Sequence, residues 1–275
     1  MSRGIVRIDC FETGFRGPWE DWAVVAVDVI RATTTALTSL AQGRRCFPAE
    51  SLERAVSLAA GLRDPLLVGE LGGNMPYGFH LTNSPAQLAL RTDAHRPMLL
   101  LSTSGTPLLG AAQASQAVFA ACLRNYRAQV AHLLGRYPRV AMIGAGSRGE
   151  FREEDQLCCA WMARDLVDAG YETDAGTAEI LERWRRAPVE SCLRGHSSQY
   201  LVQTGQQHDL DFILEHVDDL DMVAQLQGDE LVGLGSGWQK PRQTHAREAD
   251  PLTLSSHAHA QDRSNGSNRR PVSTV

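Results

Sequence analysis

The stretch WAVVAVDVIRATTTALTSLA, residues 22–41, decides the fold. Its first six residues, from Trp22 to Val27, form an apolar run typical of a strand that is buried on both faces. An apolar-periodic segment follows at 36–41 and stops before Gly43, which predicts a helix. A strand that runs directly into a helix is the repeating unit of α/β proteins.

Polar side chains occupy the junction between that strand and that helix. Asp28 and Arg31 are followed by the hydroxyls of Thr33, Thr34 and Thr35. Such junctions bind phosphate, because free backbone N–H groups and the positive end of the helix dipole converge there. The junction is a candidate site in which Asp28 holds a metal and Arg31 binds a phosphate in bidentate fashion. The structural alternative is that the threonines cap the helix while Asp28 and Arg31 pair with each other.

Strands and helices alternate along most of the chain. The predicted strands are 5–8, 23–29, 66–68, 98–101, 117–121 and 140–143, and the predicted helices are 34–42, 51–62, 107–113, 127–135, 153–169, 177–187 and 197–205. This alternation predicts an α/β fold in three layers, with a largely parallel or mixed central sheet flanked by helices. Segments 24–49 and 98–122 share the order strand, hydroxyl-rich turn, helix, strand. Either an ancient duplication or the regular order of elements in α/β units explains this similarity.

The composition is that of an ordinary globular protein. Hydrophobic residues make up 43% and charged residues 21% of 275 residues, which is enough for a sizeable core. A net charge of −5 argues against a nucleic-acid partner, and no apolar segment approaches the roughly 20 residues of a membrane span. The amino terminus lacks a secretory signal, so we expect a cytoplasmic protein. We expect one domain over 1–238 and a disordered polar tail over 239–275.

Four more polar clusters lie at predicted strand ends or turns. They contain Glu70, Asn83, Ser84, Ser102, Thr103, Ser104, Gly105, Thr106, Arg148, Glu154 and Asp155. Helix capping explains each cluster alone, but α/β sheets also place their ligands at strand ends. Taken together, the clusters predict a site for an anionic, phosphorylated substrate with a divalent metal. Carboxylates with no cysteine and few histidines favour Mg²⁺ over Zn²⁺.

Other enzyme classes fit the sequence less well. Residues 144–149 match G-x-G-x-x-G, but the match lies mid-chain and the acids at 153–155 would repel a pyrophosphate, so a dinucleotide-dependent oxidoreductase is a minor alternative. An aspartate-nucleophile phosphatase needs a second acid two positions after its nucleophile, and no acid stands there after Asp28. Cys122 lacks the arginine six positions on that cysteine-dependent phosphatases need, and the six cysteines contain no C-x-x-C pair.

Five motifs in order resemble the 2-phosphosulfolactate phosphatase family, namely 28–35, 69–70, 78–85, 102–106 and 144–159. The resemblance runs from about residue 20 to 225, and the segment 205–221 is similar to the acidic end of the family. It implies a layered α/β fold and Mg²⁺-dependent release of phosphate from 2-phospho-3-sulfolactate, on the route to coenzyme M. The implied partner is a small anionic phosphorylated metabolite, and a homodimer is one assembly open to the chain.

The motifs supply candidate groups for each role. We expect the catalytic residues to be Asp28, Arg31 and Glu70, and the metal ligands to be Asp28, Glu70, Glu154 and Asp155. We expect the substrate to contact Arg31, Thr33, Thr34, Asn83, Ser84, Ser102, Thr103, Ser104, Gly105, Thr106 and Arg148. Direct attack by water is expected, with Arg31 and the backbone N–H groups of 102–106 stabilising the developing charge. Attack by Asp28 itself is the alternative.

The chain departs from the family pattern at four positions. His80 and Thr82 stand in place of an acid and a glycine, Ser104 in place of an asparagine, and Leu71 in place of a common basic residue. The lost acid at His80 favours the alternative of a non-catalytic anion-binding or regulatory protein on the same fold. A different small phosphorylated hydroxy acid is the alternative substrate.

Overall fold

The computed structural model describes residues 4–11, 19–147 and 150–235. The strands in these ranges are β1 (Ile5–Cys10), β2 (Ala23–Val27), β3 (Cys46–Ala49), β4 (Leu66–Gly69), β5 (Met98–Leu101), β6 (Ala117–Ala121), β7 (Arg139–Gly144), β8 (Glu172–Thr173), β9 (Val223–Gln227) and β10 (Glu230–Leu234). The α-helices are α1 (Ala32–Ala41), α2 (Leu52–Ala60), α3 (Pro85–Ala89), α4 (Gly105–Ala111), α5 (Tyr126–Leu133), α6 (Glu153–Asp168), α7 (Ala175–Trp184), α8 (His196–Gln203) and α9 (Gln207–Glu215), and a 3₁₀ helix covers Val189–Arg194. The predicted α/β class is confirmed.

The ten strands form one mixed sheet in the order β4-β5-β3-β10-β9-β6-β2-β7-β1-β8. Strands β4, β5 and β3 are parallel to one another, as are β6, β2, β7, β1 and β8. The hairpin β9–β10 joins the two groups and is antiparallel to its neighbour on each side. The two parallel groups therefore run in opposite directions.

Helices α1 and α4 connect the two groups of strands. The unit β2-α1-β3 starts in one group and ends in the other, and β5-α4-β6 makes the reverse crossing. Nine of the ten residues of α1 are buried, because the helix packs on strands of both groups. These are the two segments with a shared pattern in the sequence, and their origin by duplication stays a prediction.

The predicted element boundaries differ from the structure where side chains bind the backbone. The strand predicted at 23–29 ends at Val27, because the amides of Asp28 and Val29 bind the side chains of Thr33 and Asp155 instead of a neighbouring strand. Strands β8, β9 and β10 and helices α3 and α9 lie outside every predicted element. The predicted tail at 239–275 lies outside the described residues. Among those that are described, no helix is long and apolar enough to cross a membrane.

Candidate active site

A cavity of about 590 Å³ lies where the segments that follow β2, β4, β5 and β7 meet. The predicted site residues that line it are Asp28, Arg31, Glu70, Asn83, Thr103, Ser104 and Asp155. Four segments that are distant in sequence thus reach one cavity. A larger cleft of about 840 Å³ lies beside α7, but it contains none of the predicted site residues. We therefore place the candidate active site in the smaller cavity.

Asp28 lies where the amino termini of α1 and α4 meet. Its carboxylate is 7% exposed and accepts a hydrogen bond from the N–H of Ala32 at 3.1 Å and a second from the N–H of Gly105. A Cβ at Gly105 would overlap the carboxylate, so only glycine allows this approach. The hydroxyl of Thr33 accepts from the amide of Asp28 at 3.0 Å and donates to its carbonyl at 2.8 Å. Thr33 therefore shapes the turn that presents Asp28.

The environment of Asp28 raises its pKa from 3.8 to about 6. Burial is the main cause, because it removes water from the charged form, and the negative charge of Glu70 adds to it. The N–H groups of Ala32 and Gly105 and the positive charge of Arg31 oppose the shift. Without a bound cation, Asp28 therefore gains or loses its proton close to neutral pH.

Two further buried acids lie in the first turn of α6. Asp155 accepts from the N–H of Val29 at 2.8 Å and from that of Gly146 at 3.3 Å, so it ties the turn after β2 to the turn after β7. Burial raises the pKa of Asp155 well above 3.8, and the charges of Asp28 and Glu154 add to the shift. Burial likewise raises the pKa of Glu154 from 4.5 to about 7. One buried oxygen of Glu154, Oε2, has no hydrogen-bond partner among the described residues.

Glu70 is held by the hydroxyl-rich turn at 102–106. Its carboxylate accepts from the amide and the hydroxyl of Thr103, each at 2.8 Å, and from the amide of Gly73 at 2.7 Å. Within the turn, Ser102 and Thr106 each donate a backbone N–H to the other's hydroxyl at 2.9 Å. The sequence predicted that the amides of this turn face the substrate. In the structure those of 102, 103, 105 and 106 are bound to protein oxygens, so the turn positions Glu70 and Asp28 instead.

Arg31 is 5% exposed and is held by residues of the α9 region. Its Nη1 donates to Oδ2 of Asp209 and to Oε1 of Gln206, both at 2.6 Å. Asp209 is fully buried and also accepts from the hydroxyl of Ser84 at 2.6 Å and the amide of Ala86 at 3.1 Å. The ion pair of Arg31 is thus with Asp209 and not with Asp28. This network fixes the guanidinium at the cavity wall.

The other predicted substrate-binding residues have different positions. Thr33, Thr34, Ser102 and Thr106 are buried and make the local hydrogen bonds of their turns, with the hydroxyl of Thr34 donating to the carbonyl of Val29 at 2.7 Å. Ser84 is also buried, and its hydroxyl donates to Asp209. Asn83 lines the cavity, and its buried Oδ1 has no hydrogen-bond partner in the described part of the chain. Arg148 lies outside the described residues.

The comparison with known proteins identifies the family. The 2-phosphosulpholactate phosphatase family matches residues 16–229. This chain belongs to that family. Proteins named probable 2-phosphosulfolactate phosphatase are 35% identical over 202 residues in Parasynechococcus marenigrum (69% of this chain, 82% of the relative), and 32% identical over 218 residues in Carboxydothermus hydrogenoformans (78% and 90%). A third, from Pseudothermotoga lettingae, is 32% identical over 190 residues (68% and 82%). The predicted family is confirmed.

The departures from the pattern of the 2-phosphosulfolactate phosphatases lie mostly away from the cavity. His80 is exposed and accepts a hydrogen bond from the backbone N–H of Leu67 at 3.0 Å, at the edge of β4. Leu71 is 39% exposed and pairs through its backbone with Asn74. Of the four positions, Ser104 is the one whose residue lines the cavity. The lost acid at His80 is therefore outside the site.

Several cavity residues lie outside the set predicted from sequence. Arg152, His196, Ser197 and Tyr200 also line the cavity, and the Tyr200 hydroxyl donates to the carbonyl of Gly73 at 3.1 Å. The segment 197–205 was predicted as a helix, but its periodicity carried no sign of a role in the site. Only the packing of α8 against the loop after β4 brings it there.

The carboxylates fit a hydrated divalent cation better than a directly liganded one. Among the described residues, no three His, Cys, Asp or Glu side chains form a ready-made metal-binding group. The negative charge of Asp28 nevertheless raises the pKa of both Glu154 and Asp155, and the charge of Glu154 adds to the shift of Asp155. The buried Oε2 of Glu154 has no hydrogen-bond partner among the described residues. A cation would relieve this repulsion. Mg²⁺ keeps several waters and needs only one or two direct carboxylates, so the acids need not all contact the ion.

Proposed function

We propose that this chain hydrolyses 2-phospho-3-sulfolactate, or a similar small phosphorylated hydroxy acid, to the hydroxy acid and phosphate in a Mg²⁺-dependent reaction. The observation that supports the proposal best is the single cavity that Asp28 and Asp155 line together with arginine side chains. Acids for a cation and arginines for an anion are what a metal-assisted phosphatase requires. The names of the relatives support the choice of substrate.

The residues that would hold Mg²⁺ are Asp28, Glu70 and Asp155, with Glu154 buried behind them. When bound, the ion would supply stabilisation of the charge that develops on the phosphoryl oxygens. Each acid is already fixed by backbone N–H groups, at Ala32, Gly73 and Val29 respectively. Their geometry therefore needs little reorganisation during the reaction.

The chain's own groups account for phosphate binding and for the position of the attacking water. Arg31, anchored by Asp209, binds the phosphate, and Asp28 orients the attacking water in the cavity. All six cysteines are buried, with pKa values raised by burial wherever a shift is resolved. A thiol nucleophile is therefore disfavoured, because the thiolate is the reactive form. Direct attack by water remains our expectation.

The alternatives predict different observations. In the G-x-G-x-x-G turn, the amide of Gly146 donates to Asp155, so a carboxylate occupies the donor that a dinucleotide phosphate would need. The hypothesis of a non-catalytic anion-binding protein rested on the lost acid at His80. That residue is exposed at the edge of β4, outside the cavity, so its identity does not argue against catalysis. Both observations favour the phosphatase.

A screen of phosphorylated metabolites tests the proposal. Wild-type protein with Mg²⁺ is expected to release phosphate from 2-phospho-3-sulfolactate or 2-phospholactate, and Asp28→Asn to lose at least about 100-fold in kcat, as removal of an electrostatic or acid–base group typically does. Glu179→Gln, an exposed change far from the cavity, is the matched control and should keep wild-type activity. Binding of these metabolites without turnover would refute the proposal in favour of an anion-binding protein.

A further inference from the structure

Arg152 is a mostly buried arginine on the wall of the cavity. Its side chain is 11% exposed, and the residue directly precedes the first turn of α6. Its Nη1 donates to Oε2 of Glu150 at 3.1 Å and lies 3.2 Å from Nδ1 of His196. Nε is buried and has no hydrogen-bond partner among the described residues. One end of the guanidinium is therefore fixed, while the edge formed by Nε and Nη2 has no acceptor within that part of the chain.

Elsewhere in this protein the same edge binds acids. Arg45 donates from Nε and Nη2 to the two oxygens of Glu230, at 2.9 and 2.7 Å. Arg124 binds both oxygens of Asp219 in the same way, at 3.0 and 2.6 Å. This side-on fork matches two oxygens of a carboxylate, a phosphate or a sulfonate. In Arg152 the equivalent fork is left for a group from outside the described chain.

The two cavity arginines differ in position and in charge balance. Arg31 lies beside the acids, since its charge lowers the pKa of Asp28, and its own charge is matched by the fully buried Asp209. The acid that pairs with Arg152 is Glu150, which is 58% exposed, so water screens that pair. Arg152 therefore presents more uncompensated positive charge to the cavity, at a wall that it shares with His196.

We propose that Arg152 binds a second anionic group of the substrate, a carboxylate or a sulfonate, and so selects phosphate esters that carry an acid on a neighbouring carbon. The proposal rests on the proposed function for its choice of substrate. It assigns the phosphate to Arg31 and the second anion to Arg152. Loss of Arg152 should then harm only those substrates that carry the anion it binds.

A series of three esters on one carbon skeleton tests this directly. 2-Phospho-3-sulfolactate carries a carboxylate and a sulfonate, 2-phospholactate carries a carboxylate only, and isopropyl phosphate carries neither. For Arg152→Gln we expect kcat/KM to fall about 10- to 100-fold on an ester whose second anion is bound, the effect of losing charge-assisted hydrogen bonds, and less than about 3-fold on isopropyl phosphate. A loss on both acidic esters identifies the carboxylate as the bound group, and a loss on phosphosulfolactate alone identifies the sulfonate.

Two further variants test whether the effect depends on the planar guanidinium and on this position. Arg152→Lys keeps the charge but not the fork, so it should recover only part of the activity on the acidic esters. Arg185→Gln removes an arginine that is 65% exposed and lies outside this cavity, and it should match wild type on all three esters. Equal losses on all three esters in Arg152→Gln, or full activity in Arg152→Lys, would overturn the proposal.

A binding measurement separates this proposal from the proposed function. Calorimetric titration with sulfolactate, which has no phosphate, should show at least about 10-fold weaker binding to Arg152→Gln than to wild type. If wild type released phosphate from none of the esters but this difference in binding appeared, the phosphatase function would fail and Arg152 would still be an anion-binding residue. Equal binding to both proteins, or none to wild type, would refute the role of Arg152.

Discussion

Raising the pH of the metal-free protein ionises a group of acids that are buried next to one another. Asp28 has its pKa raised from 3.8 to about 6 and Glu154 from 4.5 to about 7. Between the unfolded and folded pKa values the folded state binds more protons than the unfolded state. The free energy of unfolding therefore falls as the pH rises from about 4 to about 7. Asp155, whose pKa is also raised, acts in the same direction.

The size of the effect follows from the shifts. The shift of Asp28 corresponds to about 3 kcal/mol at 1.4 kcal/mol per pKa unit. The acids share one repulsion, so their contributions are not additive. For a domain of this size, about 3 kcal/mol corresponds to a change in Tm of about 6–12 °C. Asp28→Asn removes the charge, and its lost hydrogen bonds act equally at every pH.

The assay is thermal unfolding in EDTA at about pH 4, 6 and 8 for wild type, Asp28→Asn and the exposed control Glu179→Gln. The Tm of Asp28→Asn minus the Tm of wild type should increase by about 6–12 °C between pH 4 and pH 8. The same difference for Glu179→Gln should not change with pH. At pH 8, Mg²⁺ should raise the Tm of wild type more than that of Asp28→Asn. A Tm difference that does not change with pH would refute the reasoning.

Three further predictions concern the reaction. Asp209→Asn removes the negative charge that holds Arg31, so steady-state kinetics should show a KM for the phosphate ester that is about 10-fold higher or more. The amide is isosteric with the carboxylate, so circular dichroism should show an unchanged fold. Arg31→Lys should lower kcat/KM by at least about 10-fold, because an ammonium lacks the planar fork; wild-type kinetics would exclude a bidentate role. Hydrolysis of an ester with a chiral labelled phosphate should invert the configuration at phosphorus, because water attacks directly, and retention would instead indicate a covalent intermediate such as one on Asp28.

Local patterns in the sequence were sufficient for the elements that carry the first motif, at 28–35. The apolar run of β2 and the hydroxyls that follow it predict a strand, a turn and a helix, and all three are present. The hairpin β9–β10 was missed because Gln225, Gln227 and Glu230 interrupt its apolar pattern. That hairpin reverses the direction of the sheet between its two halves. No local pattern reports such a long-range pairing.

The partners of the site residues depend on contacts that sequence patterns do not encode. Asp209 lies on an amphipathic helix, where an acid ordinarily faces water, yet it is fully buried and binds Arg31. Arg152 and His196 meet only because α8 packs near the start of α6. The hydroxyls at 102–106 were predicted to contact the substrate, and in the structure that of Thr103 binds the carboxylate of Glu70.

The Mg²⁺ dependence of phosphate release from 2-phospho-3-sulfolactate tests the central claim most directly. The buried acids beside Arg31 predict release by the wild-type protein in Mg²⁺, loss of release in excess EDTA, and its return when Mg²⁺ is restored. Release that EDTA leaves unchanged, or no release from this ester and from 2-phospholactate at any Mg²⁺ concentration, would contradict the account.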